Sequence, residues 1–142
     1  MEPQLKYENP PNFEAICAAF PHVREHKGAI FCYGDVIYTP NLEPGQGIAP
    51  HLVVHESVHM RQQKEAGGPE AWWERYLADV EFRLVQEVEA YRAQYHFVLT
   101  NHGNDKRALE RFLFDLAGDL SGPMYGNIIS FGAAESKIRR PV

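Results

Sequence analysis

Apolar positions fall into two kinds of run along this chain. Residues 29–33 (Ala-Ile-Phe-Cys-Tyr) and 36–39 (Val-Ile-Tyr-Thr) are aromatic and β-branched, with Gly34-Asp35 between them. That reads as a β-hairpin closed by a two-residue turn with glycine first. Elsewhere the spacing is helical. Residues 12–20 carry helix formers behind Asn12 and stop before Pro21. Pro50 opens a second helix, which Gly67-Gly68 ends. From about Glu70 to Thr100 an apolar stripe runs without proline or glycine, predicting one long helix. Further helices are expected over 105–117 and 132–139. Residues 1–11, with three prolines, read as an extended lead-in, and 40–49 as a loop. Residues 120–142 are richer in glycine and are expected to be less ordered. The class is α+β and mostly helical, in a single domain spanning 1–142 with a small N-terminal hairpin.

Composition narrows the function classes. The 142 residues carry a formal net charge of −5 and 44% hydrophobic residues. A core is available, while nucleic acid and an anionic membrane are not expected as partners. The basic stretch Lys137-Ile138-Arg139-Arg140 reads as a solvated tail. Cys17 and Cys32 form no CxxC pair and sit in apolar surroundings, so buried free thiols are expected. The polar N-terminus lacks the apolar segment of a secretory signal, and a soluble, cytoplasmic location is expected.

Chemistry enters at residues 55–59, His-Glu-Ser-Val-His, inside the helix that Pro50 opens. Positions four apart share a helix face, so His55 and His59 can grip one metal. Glu56 is rotated by about 100° and lies beside it, placed to act as general base on a metal-bound water. His51 shares that face, but the eight residues from His51 to His59 rise about 12 Å. Both cannot reach one ion, so His51 is assigned to the start of the helix or to supporting a ligand.

An open catalytic zinc site needs a third protein ligand. The stripe Trp73, Tyr76, Leu77, Val80, Leu84, Val88, Tyr91, Tyr95 and Val98 spans an arc about 120° wide at 100° per residue. Glu87 falls inside that arc. Glu89 lies nearly opposite, Glu74 and Asp79 fall outside, and Glu81 lies just beyond the edge. A carboxylate on a buried face needs a partner. A metal is the favoured one, and a salt bridge from Arg61, Arg83 or Arg92 is the alternative.

His55-Glu56-Ser57-Val58-His59, followed 28 residues later by Glu87-Val88-Glu89-Ala90, resembles the gluzincin group of metallopeptidases. The continuation His59-Met60-Arg61-Gln62-Gln63 is similar to small HExxH proteins encoded in phage genomes. The resemblance covers about residues 50–95 and implies a minimal zincin-like domain. It implies Zn²⁺ on His55, His59 and Glu87, with Glu56 as base. Where many such families place Asp or Asn after the alanine, this chain has Tyr91, so the groups that orient the ligand histidines stay unassigned. The implied function is zinc-dependent hydrolysis of a peptide or protein substrate. One alternative is a non-catalytic zinc-stabilised module, for example a virion component. The other is a zinc hydrolase acting on cell-wall amides. The oxyanion donor is sought among Tyr125, Tyr91 and His102, with Tyr125 preferred for its glycine-flanked segment. The hairpin offers a sheet edge on which an extended peptide could pair. Trp72 and Trp73 are expected in the core or the cleft wall. His22, His26 and His96 are expected to be structural or superficial.

Overall fold

A computed structural model describes residues 3–142. Among them lie strands β1 (Gln4–Lys6), β2 (Phe31–Tyr33) and β3 (Val36–Tyr38). The helices are α1 (Phe13–Ala19), α2 (Pro50–Glu65), α3 (Pro69–Ala78), α4 (Val80–His102), α5 (Lys106–Leu120) and α6 (Phe131–Arg139). Two short 3₁₀ turns cover Pro21–Glu25 and Pro123–Tyr125. The α+β class is as expected. Among the described residues no helix is long and apolar enough to cross a membrane.

The hairpin forms with Phe31 opposite Tyr38 and Tyr33 opposite Val36. Gly34 takes φ +64° while Asp35 is not in the positive-φ region, which is the glycine-first turn. The sheet has a third strand that the lead-in was not expected to supply. Gln4–Lys6 pairs parallel with β3, giving the order β1-β3-β2. Three residues with one apolar member are too short for alternation to announce a strand. β3 is therefore central, Ile37 is fully buried, and β2 is an edge.

The long helix expected over 70–100 is two helices. Asp79 adopts φ −117° and ψ 106°, breaking the helix, and its side chain accepts a hydrogen bond from Phe82 N–H to cap α4. Asp is a good N-cap residue, and here that preference stops a helix without proline or glycine. Asp105 and Ser130 cap α5 and α6 in the same way. Asn12 precedes α1 without a side-chain cap bond.

The C-terminal helix expected over 132–139 forms, and the segment around it is more ordered than its glycine content suggested. Residues 131–139 form α6, where Ala134 and Ile138 are fully buried against α4 and α5. Arg139, assigned to a solvated tail, pairs with Glu135 and Glu110. The order comes from Ile138, whose burial with Leu113 and Leu120 is worth about 1.5–3 kcal/mol per side chain. Two apolar clusters result. One joins the sheet, α1 and α3 around Phe20, Phe31, Trp72 and Tyr76. The other joins α4, α5 and α6. Helices α2 and α4 pack side by side. Both cysteines are buried and free.

Candidate metal centre

Helix α2 presents His55 and His59 one turn apart, and α4 presents Glu87 against them. All three are buried, with exposures of 6%, 5% and 3%. His55 Nε2 lies 3.2 Å from Glu87 Oε1, and His59 Nε2 lies 3.2 Å from Glu87 Oε2. The two imidazole Nε2 atoms are themselves 3.2 Å apart. Ligands about 2.1 Å from one tetrahedral ion sit about 3.4 Å from each other. The group has the dimensions to hold a metal ion.

Hydrogen bonding behind the ligands decides which atoms face the centre. The Gln62 amide Nε2 donates to Gln86 O and to Glu89 Oε1, so its Oε1 must be the atom facing His59. His59 Nδ1–H donates to that oxygen at 2.8 Å, leaving a lone pair on Nε2 in the neutral ring. On His55, Nδ1 meets Gln94 Oε1 at 2.9 Å, and Gln94 Nε2 continues to His51 Nδ1 at 2.8 Å. His51 thus acts through Gln94 upon a ligand, while its ring packs edge-on against Phe112. Lone pairs of two imidazoles and a carboxylate converge at a buried point. Among the described residues Glu87 Oε1 has no hydrogen-bond donor, with His55 Nε2 3.2 Å away. A cation satisfies this set, and a metal is such a cation.

None of the three arginines considered for Glu87 reaches it. Arg61 pairs with Glu65 and Glu89, Arg92 donates to Lys137 O, and Arg83 donates to the carbonyls of Tyr76 and Tyr125. Glu89 is exposed, as its helical phase predicts, and supports Gln62. The donor that sequence reasoning missed is Tyr76. Its hydroxyl gives Glu87 Oε2 a 2.6 Å hydrogen bond. The break at Asp79 makes this possible, because 11 residues along one straight helix would separate the two by about 16 Å. Gln94 and Tyr76 carried no motif of their own, and Gln62 entered only as part of the continuation after His59. Gln62, three residues after His59, could have been found from helical spacing, whereas Gln94 lies 39 residues from His55 on another helix and could not.

Charge in the cluster follows from burial and proximity. Burial opposes a charge on His59, but the Glu87 carboxylate outweighs it and brings the imidazole up to about 9. Burial likewise works against the Glu87 charge, and His59 and His55 overcome it, holding the carboxyl well below its usual range. Without a metal, the proton on His59 takes the place of the cation. Glu56 is also buried, and burial raises its proton affinity despite the pull of both histidines.

Glu56 lies between two chambers. One, of about 60 Å³, is walled by Phe20, Phe31, Trp72, Trp73 and Tyr76 and reaches Glu87. The other, of about 150 Å³, is walled by Ala29, Leu52, Leu116, Gln94 and Asp119. Ile30, His55, Glu56, Met124 and Tyr125 line both. Tyr125 thus stands at the site, and its hydroxyl is 2.7 Å from that of Tyr91, whose ring packs 4.5 Å from His55. His102 is excluded as an oxyanion donor: it is exposed at the last residue of α4, 15 positions beyond Glu87.

Strand β2 forms part of the chamber wall, but its edge is less open than expected. Cys32 O accepts from Gln63 Nε2 and from Trp73 Nε1, both at 2.9 Å, and Gly34 N–H donates to Gln63 Oε1. Gln63 therefore locks the hairpin to α2 and occupies backbone groups at Cys32 and Gly34 that an incoming strand would need. His22 and His96 meet the backbone carbonyls of Pro123 and Arg140. Comparison with family models, curated proteins and solved structures gave no match for this chain.

Proposed function

We propose that the protein is a zinc-dependent hydrolase of peptide bonds, built on a gluzincin-like plan. The observation that carries this reading is the placement of Glu56. It is buried beside three convergent ligand atoms, is not one of them, and is hydrogen-bonded by no side chain among the described residues. A site serving only to hold helices together has no use for such a carboxylate, and structural zinc sites usually fill four positions with Cys or His.

His55 Nε2, His59 Nε2 and Glu87 would hold the ion. Zinc bound there supplies Lewis acidity, which acidifies water and polarises a carbonyl. The chain's own groups do the rest. Glu56 takes a proton from the attacking water at its carboxylate and returns it to the departing amine nitrogen. Its burial favours this role, since a base with raised proton affinity works closer to neutral pH. If Tyr91 donates to Tyr125, the Tyr125 O–H is free to turn toward the developing oxyanion. Gln62 and Gln94 keep both imidazoles in the tautomer that ligates.

The near-complete burial of the three ligands favours one second reading, a non-catalytic zinc-stabilised module. Zinc-loaded wild type and Glu56→Gln, incubated with a random peptide library and read by mass spectrometry, separate the two. Hydrolysis is expected from the wild type and a loss of about 10²–10⁴-fold in the variant. An inert wild type that retains its zinc supports the structural module.

A further inference from the structure

The two chambers beside Glu56 differ in chemistry, and the difference specifies a substrate class. The smaller chamber is apolar apart from the site groups themselves, with Phe20, Phe31, Trp72, Trp73 and Tyr76 as its largest side chains. The larger has apolar sides, formed by Ala29, Ile30, Leu52, Leu116 and Met124, and it carries the carboxylate of Asp119. No lysine or arginine lines either one. Among the described residues Asp119 forms no ion pair and no side-chain hydrogen bond, whereas Glu89 and Glu110 each pair with an arginine of another helix. His26 shares the wall, where its Nδ1 accepts Gly28 N–H and makes no hydrogen bond to Asp119.

We infer that Asp119 is a specificity residue, and that the cleft takes peptides with a lysine or arginine on one side of the scissile bond and a large apolar residue on the other. The apolar walls suit the methylene stem of a long basic side chain, and Asp119 suits its charged head. The aromatic chamber suits the opposite neighbour. The two meet at Glu56, where the bond to be cut would lie. This inference rests on the peptide-hydrolase reading for its location, but the chamber itself can be tested without turnover.

The experiment uses zinc-loaded Glu56→Gln protein and two blocked dipeptides, acetyl-Phe-Lys-amide and acetyl-Phe-norleucine-amide, with binding measured by calorimetry. Asp119 is solvent-exposed, so the charge contributes only at the scale of an exposed pair, a preference of about fivefold for the lysine peptide. Asp119→Asn on the same background should bring the ratio to about one, and Asp119→Lys should reverse it. Equal binding of the two peptides, binding of neither, or a lysine preference that survives Asp119→Asn overturns the assignment. If lysine is preferred through Asp119 but wild type hydrolyses no peptide, the chamber assignment stands and the hydrolase reading falls. If peptides are cleaved without regard to basic residues, the reverse holds.

Discussion

Replacing Tyr76 by Phe removes one oxygen atom from the periphery of the metal site and little else. The ring stays stacked on Trp72 at 4.8 Å and within the aromatic cluster, so no cavity of consequence opens. What disappears is the 2.6 Å hydrogen bond to Glu87 Oε2. Burial, then the neighbouring Glu87 charge, keeps the Tyr76 phenol protonated far above its ordinary range, so it donates at every usable pH. A hydrogen bond to a charged group contributes about 1.5–3 kcal/mol. At about 1.4 kcal/mol per decade, that becomes a loss of roughly tenfold to a hundredfold in zinc affinity, the range found for residues that orient metal ligands. Competition of wild type and Tyr76→Phe against a chromophoric chelator measures it directly. An unchanged affinity in a variant with native circular dichroism would refute the claim that Tyr76 holds Glu87 in place for the metal.

Other outcomes follow from the same geometry. Metal analysis should find one zinc per wild-type chain and none in His55→Ala, since two remaining ligands cannot retain the ion through dialysis. Zinc affinity should rise with pH by about tenfold per unit and level off near 9, because His59 must lose the proton it holds up to that pH. The metal-free fold behaves oppositely on its alkaline side. The raised His59 contributes stability fully present below about pH 6.5 and lost through about 9, and the depressed Glu87 contributes above about 4.5 and loses it as pH falls. Thermal melts of chelated protein should therefore peak between about 4.5 and 6.5, and a melting temperature that climbs steadily to pH 9 would contradict the pairing. Gln63→Ala leaves Cys32 O with one donor fewer and Gly34 N–H with none, at a cost of about 1–3 kcal/mol. A fall of roughly 3–10 °C in melting temperature is expected, and less than 1 °C would show that the hairpin does not depend on α2.

The candidate ligands were legible because helices have a fixed period. Four-residue spacing joined His55 to His59, and the buried phase of the second segment picked Glu87 over Glu89 before any packing was known. The two glycines after α2 and the Gly34-Asp35 turn were equally direct, since each requires a backbone shape that few residues supply. What stayed hidden depended on partners distant in sequence. Gln4–Lys6 becomes a strand only because β3 lies beside it. Gln94 matters only because α4 packs on α2 at the height of His55. The C-terminal helix could be read from the sequence, but its docking through Ile138 against Leu113 and Leu120 could not.

The junction at Asp79 has a consequence for how this centre tolerates change. In a continuous helix, every residue before Glu87 would be bound to its rotation, and one insertion would swing the whole upstream face through about 100°. With the phase reset at one capped residue, the faces of α3 and α4 are related by their packing rather than by one shared helical rotation. A single residue added between Ala78 and Val80 would move Tyr76 away from the carboxylate, while Glu87 would keep its position opposite α2. The ligand and the donor that steadies it are thus mechanically separable, although only 11 residues lie between them.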